Sequence, residues 1–159
     1  MENDDTIKEL TEKFNKTQQE LGFKATFEEL EDLFFIKDSI LKDGFVSEKF
    51  SRQLTHRMLD TYASWITSLH NLIMPNPQDL ISLTECKKLT SEEKTKASDL
   101  IGLAMNLIRK NSIIGLTKDK IAEGKLIDEI FQTWKNKFEP GILELEKKIQ
   151  TAWEENNLK

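Results

Sequence analysis

The chain has 159 residues, of which 38% are hydrophobic and 32% are charged, and its formal net charge is −5. This length suits one domain with its own core, and so much apolar surface excludes a disordered chain. The acidic balance argues against binding to nucleic-acid phosphates, which requires a basic stripe.

Apolar spacing along the first half of the chain predicts helices, since β-branched alternation is almost absent and glycine and proline stand only between long periodic segments. The first three helices are expected over residues 5–21, 26–44 and 47–74. Thr26 and Glu29 have the spacing of a capping box at the start of the second helix. Ser47 is the expected N-cap of the third helix.

The second half shows four further helix signals. Asn76 is the expected N-cap of a short fourth helix, and Thr90 with Glu93 repeats the capping box ahead of the fifth. Thr117 is the expected cap of the sixth helix, and the "EPG" at residues 139–141 is expected to stop it before the last helix. The side chains expected to face inward from the sixth helix are Ile121, Ile127, Ile130, Phe131, Trp134 and Phe138.

These segments predict an all-α fold, an antiparallel bundle of six or seven helices. The apolar stripes before and after "MPNP" resemble shares of one core, so a single helical domain over residues 1–159 is expected, with a hinge near residues 75–77 as the alternative. The fifth helix is apolar on nearly every side and is expected to be central. Gly102 within it marks either a close helix crossing or a tolerated accident.

Both histidines lie on the third predicted helix, about 21 Å apart along its axis, so they cannot share one metal ion there. Arg52, His56 and Asp60 follow one another at intervals of four residues on its polar face. Asp60 is therefore placed to orient the imidazole of His56 for acid–base work, which makes these three residues the catalytic candidates. A solvated helix face or a second packing surface is the more ordinary interpretation.

A cluster of carboxylates stands at the start of the second predicted helix. Its members are Glu28, Glu29, Glu31 and Asp32. A magnesium site would need a second acidic pair on a facing helix, for which Asp119 with Glu123 is the loose candidate. An acidic first turn stabilised by the helix dipole is the commoner explanation.

Most recognisable chemistry is missing from the sequence. It has no glycine-rich phosphate loop, nucleophile elbow or HExxH motif, so we expect no cofactor and lean against an enzyme. Cys86 is the only cysteine, which excludes an internal disulfide and a cysteine-based zinc site within one chain. The acidic N-terminus and the absence of a long apolar run predict a cytoplasmic protein without a membrane segment.

The first and last predicted helices carry apolar stripes only two positions per heptad wide, the width of a coiled-coil seam. The stripes consist of Ile7, Leu10, Phe14 and Leu21 in the first helix and Ile142, Leu145, Ile149 and Trp153 in the last. Either the two helices pair with each other, or one of them forms an interface with another chain.

Three functions remain open. The first is a helical protein-interaction or small structural module without chemistry, whose partner is a second copy of itself in a homodimer. The second is a hydrolase that acts on a nucleotide or RNA through the acidic cluster or the Arg52/His56/Asp60 face. The third is a carrier of an apolar ligand between helices, suggested by "DLFFIKD" and three tryptophans.

Overall fold

The computed structural model describes residues 2–157, and the chain there is helical with no strand. The α-helices are α1 (Glu2–Leu21), α2 (Phe27–Phe34), α3 (Ile36–Asp43), α4 (Phe50–Ile73), α5 (Leu80–Lys88), α6 (Ser91–Thr117), α7 (Lys120–Thr133) and α8 (Glu139–Asn157). A π-helical segment, Trp134–Phe138, joins α7 to α8 without a break. The predicted all-α bundle is confirmed, with 86% of the chain helical.

The chain divides into two units. Unit 1 comprises the described residues up to Thr61 together with Leu107–Phe131, and unit 2 comprises Tyr62–Asn106 together with the described residues from Gln132 onward. Residues 75–77, where the sequence suggests a hinge, lie inside unit 2 and not at a boundary between the units.

The core of unit 1 is organised around Phe14 of α1, whose side chain is 1% exposed. Its ring meets the rings of Phe23, Phe27 and Phe50 edge to face, at centroid distances of 5.6, 5.2 and 6.4 Å. Such aromatic pairs stabilise a fold beyond the area they bury. One residue of α1 therefore fixes the loop after α1 and the starts of α2 and α4.

The second predicted helix is in fact two helices, α2 and α3, separated by Phe35. Phe35 has φ 53° and ψ 52°, a left-handed conformation that ends α2. In one continuous helix, Phe34 and Ile36 would lie on opposite sides, about 200° apart. The break at Phe35 allows both to be buried, at 0% and 1% exposure, and leaves Phe35 itself exposed. The predicted Thr26–Glu29 capping box is confirmed, with both of its hydrogen bonds present.

The predicted cap of the fourth helix, which is α5 in the structure, is displaced. Asp79, not Asn76, caps α5, because its carboxylate accepts hydrogen bonds from the backbone N–H groups of Ile81 and Ser82. The side chain of Asn76 instead closes the preceding turn by accepting from the N–H of Gln78. Asp79 and Asn76 thus each satisfy free backbone N–H groups with a short polar side chain. Because the cap is Asp79, α5 starts three residues later than expected.

The end of α6 also differs from the prediction. Thr117 is the last residue of α6, and its hydroxyl donates to the carbonyl of Ile113. Lys118, with φ 56°, ends the helix, and Asp119 caps α7 by accepting from the N–H of Ala122 at 3.0 Å. Because α7 starts later than expected, Ile121 lies in its first turn and is 73% exposed, so its predicted inward position is wrong.

The predicted stop at residues 139–141 does not occur. The N–H of Glu139 donates to the carbonyl of Trp134, five residues earlier, which is the bond of a π-helix. Pro140, which has no N–H to donate, falls in the first turn of α8, where proline is tolerated. In unit 2, the rings of Trp134 and Phe138 pack on Tyr62 at 5.1 and 4.6 Å.

The predicted Thr90–Glu93 capping box is confirmed and makes stability depend on pH. The Thr90 N–H donates to Glu93 Oε1 at 3.0 Å, and this bond, with smaller contributions from the Thr90 hydroxyl and the Lys148 ammonium, lowers the pKa of Glu93. A carboxyl with a lowered folded-state pKa stabilises the fold above its unfolded-state pKa of about 4.3. That stabilisation is lost as the pH falls through the folded-state pKa.

Glu93→Gln keeps a capping side chain but removes its charge, so it should lower Tm at about pH 7 and change it much less at about pH 2. Thermal unfolding followed by circular dichroism measures this difference. The control Glu12→Gln, on the exposed surface of α1, should show no such pH dependence. An equal loss for Glu93→Gln at both pH values would contradict the electrostatic explanation.

Candidate functional site

The three catalytic candidates on α4 are not brought together as a site. Arg52 turns away from His56 and donates from Nη1 to Glu123 Oε2 of α7, at 2.8 Å. His56 and Asp60 are exposed, and within residues 2–157 no hydrogen bond joins either of them to the other or to Arg52. The spacing of four residues is present, but the arginine pairs with another helix.

Two of the four carboxylates at the start of α2 accept hydrogen bonds from backbone N–H groups. Glu29 accepts from the N–H of Thr26 in the capping box, and Glu31 accepts from the N–H of Lys37 at 2.7 Å, next to the break between α2 and α3. Glu28 and Asp32 are exposed. In the described part of the chain, no three His, Cys, Asp or Glu side chains form a group able to hold a metal ion. The predicted carboxylate site is therefore not formed.

The stripes of the terminal helices are largely covered by their own chain. The buried members are Leu10 and Phe14 in unit 1 and Ile142, Leu145 and Ile149 in unit 2. Ile7, Leu21 and Trp153 are half-buried, and Trp153 Nε1 donates to Glu85 at 3.0 Å. A narrow apolar stripe is sufficient to pack a terminal helix on its own unit, because a large side chain such as Phe14 contacts several neighbouring side chains. The buried members of the two stripes pack within their own units, and an interface with another chain stays a prediction for the half-buried ones.

A cleft of about 560 Å³ opens in unit 1 between α1, the start of α4 and the turn between α6 and α7. Its basic lining residues are Lys13, Lys16, Lys49, Arg52, Lys118 and Lys120. Its acidic lining residues are Glu20, Glu48, Asp119 and Glu123. In a chain whose net charge is −5, this cleft has more basic than acidic side chains.

The Arg52–Glu123 pair forms the buried part of this cleft. The Glu123 side chain is 5% exposed and the Arg52 side chain 25% exposed. Arg52 Nη2 also donates to the backbone carbonyl of Asn111 at 3.2 Å. Gly115 gives the guanidinium room, because a Cβ there would lie 3.1 Å from Nη2. Residues from α4, α6 and α7 thus fix the orientation of Arg52.

Most of the acidic side chains in the cleft are already engaged. Glu123 is paired with Arg52, Asp119 caps α7, and Glu20 lies 4.0 Å from Lys16 on the same helix. Glu48 is the remaining acidic lining residue. Four lysines in the cleft have no acidic partner within residues 2–157, namely Lys13, Lys49, Lys118 and Lys120. With six basic and four acidic side chains in its lining, the cleft has an excess of two positive charges.

A second cleft, of about 280 Å³, lies in unit 2 between α4, α5 and α8. Its lining mixes apolar side chains such as Leu69 and Ile142 with polar ones such as Ser68 and Glu146. Its volume lies just below the range of about 300–1,000 Å³ that small-molecule sites occupy. This geometry gives no particular support to the carrier of an apolar ligand.

Three large, exposed apolar side chains lie on the two helices that flank the turn between α6 and α7. They are Ile113, Leu116 and Ile121, which are 59%, 84% and 73% exposed; we call this region the α6–α7 corner. Ile113 and Leu116 share one face of α6 because they are three residues apart. These side chains were not identified from the sequence. A signal was available, because Ile113 and Leu116 do not belong to the buried stripe of α6 that contains Leu107 and Ile114.

Comparisons of the chain with protein-family models, with curated proteins and with solved structures give no match. The structure itself shows an all-α protein with a cleft rich in basic side chains and with exposed apolar side chains at the α6–α7 corner, both in unit 1. No helix within residues 2–157 combines the length and the apolar character that crossing a membrane requires.

Proposed function

We propose that the protein is a helical interaction module without catalytic chemistry, and that it self-associates as a homodimer through the α6–α7 corner. The observation that carries this proposal is the exposure of Ile113, Leu116 and Ile121, three large apolar side chains within nine residues of sequence. Single exposed apolar residues are ordinary, but a group of them marks an interaction surface.

A second copy of the chain suits this surface. In a two-fold symmetric contact the same patch lies on both partners, so the apolar side chains of one copy meet those of the other. The turn inside the corner carries Lys118 and Asp119, side by side and of opposite sign. Symmetric pairing lets each of these charges approach its opposite on the other copy, which supports self-association.

Leu116→Lys should weaken self-association at least about 100-fold. Burial of a leucine side chain contributes about 1.5 kcal/mol or more, and a symmetric contact loses two of them. Sedimentation velocity over a concentration series measures the effect. The wild type should show a sedimentation coefficient that rises with concentration, and Leu116→Lys should remain a monomer across the series.

The matched control is Leu143→Lys, which makes the same change at a 52% exposed position on α8. It should self-associate like the wild type, and circular dichroism should show the same helical content in all three proteins. A wild type that is a monomer at every concentration would refute the proposal. Equal weakening by the two substitutions would refute the assignment of the contact to the α6–α7 corner.

A further inference from the structure

We propose that the cleft in unit 1 binds small anions that carry phosphate groups, such as pyrophosphate or the phosphates of a nucleotide. This inference shares Lys118 with the turn of the α6–α7 corner, but it does not depend on self-association, because it rests on the lining of the cleft and not on the apolar side chains of the corner. Its basis is the concentration of positive charge around a fixed arginine.

The first argument is charge. Lys13 of α1 and Lys49, just before α4, approach the cleft from one side, and Lys118 and Lys120 lie at the turn between α6 and α7. Among the lining acids, Glu48 and Asp119 are not paired with a basic side chain, so the four lysines leave an excess of two positive charges. A concave surface with an excess of one sign of charge concentrates ions of the opposite sign.

The second argument is the state of Arg52. A guanidinium has five N–H donors in a fixed plane, and two of them are used by Glu123 and by the Asn111 carbonyl. A quarter of the Arg52 side chain remains exposed, and it lines the cleft. Since its orientation is set before any ligand arrives, little side-chain freedom is lost on binding, and its remaining donors suit phosphate oxygens.

The third argument is size and polarity. The cleft volume of about 560 Å³ lies within the range of small-molecule sites, and it exceeds what a single phosphate fills. The hydroxyl-bearing side chains of Thr17 and Ser51 also line the cleft. Hydroxyls and lysines both donate to phosphate oxygens. The cleft therefore fits an anion with more than one charged group.

Isothermal titration calorimetry with inorganic pyrophosphate, at constant ionic strength, tests the proposal. The wild type should bind one pyrophosphate per chain. Lys118→Gln/Lys120→Gln should bind it about tenfold more weakly, because two exposed lysines that face the ligand are removed. The control Lys42→Gln/Lys125→Gln removes the same charge from exposed positions of unit 1 outside the cleft and should bind like the wild type.

Two further arms identify the source of the phosphate. Titration with ATP tests a free nucleotide, and co-sedimentation with phosphatidylcholine vesicles that contain phosphatidylinositol bisphosphate tests a lipid headgroup. Binding of pyrophosphate should persist in Leu116→Lys, which separates this proposal from self-association. The absence of pyrophosphate binding to the wild type, or equal weakening in the two double variants, would overturn the assignment of the site.

Discussion

Arg52→Ala should lower the free energy of unfolding by about 3 kcal/mol, as expected when one partner of a buried ion pair is removed. The substitution leaves the Glu123 carboxylate, 5% exposed, without its guanidinium partner in the interior of unit 1. It also removes the bond to the carbonyl of Asn111. Urea unfolding followed by circular dichroism measures the loss.

Two controls separate the buried charge from lost packing. Arg52→Met/Glu123→Leu replaces both charges with apolar side chains of similar length and should recover most of the stability. Lys110→Ala breaks the exposed pair with Glu129, whose side chains are 47% and 42% exposed, and should cost less than about 1 kcal/mol. If Arg52→Ala lowers the free energy of unfolding as little as Lys110→Ala does, the Arg52–Glu123 pair does not stabilise the fold as a buried ion pair.

Gly124→Ala should destabilise the protein by about 3 kcal/mol, the upper end of the usual cost of overpacking. Gly124 lies in α7 against the end of α1, and an added Cβ would be 2.2 Å from the carbonyl oxygen of Leu21. A backbone atom cannot move aside as a flexible side chain does, so the two helices must separate. Chemical denaturation measures the loss of stability.

Two other glycines provide matched controls. Gly102 has open space where a Cβ would be, so the close helix crossing considered for it is absent, and Gly102→Ala should stabilise the protein by about 0.5–1 kcal/mol. At Gly141 an added Cβ would lie 2.7 Å from the side chain of Leu100, and that side chain is able to rotate away. Gly141→Ala should therefore change the stability by an amount between those of the other two variants. Any other order of the three variants would contradict this assignment of helix contacts.

Local signals in the sequence were sufficient for much of the fold. Capping boxes depend on residues three apart, and both of them, Thr26 with Glu29 and Thr90 with Glu93, were predicted and are formed. The predicted end of the first helix at residue 21 is also confirmed, because α1 ends at Leu21 and Gly22, with φ +73°, follows it. These features follow from backbone donors and acceptors that need nearby partners.

The errors lie where tertiary packing overrides local preference. A phenylalanine with positive φ is rarely favourable, so no propensity argument predicts the break at Phe35. The break allows Phe34 and Ile36 to be buried together, a requirement that only the core of unit 1 imposes. Likewise, a proline after Glu139 predicts a stop, but the π-helical segment continues the helix through it.

The candidate site was the least accessible to sequence reasoning. Arg52 was singled out for its neighbours on α4, yet its partner Glu123 lies 71 residues away. Glu123 was noted only as a loose partner for a metal cluster that does not form. The lysines of the cleft come from separate parts of the chain and share no motif. Only the fold of unit 1 brings them together.

The central claim is that the α6–α7 corner is where two copies of the chain meet. The most direct test is a dilution series of methyl-labelled protein followed by NMR. The methyl groups of Ile113, Leu116 and Ile121 should shift with concentration, and those of the buried Leu10 and Leu145 should not. Methyl signals at the corner that stay constant over the whole series would contradict the claim.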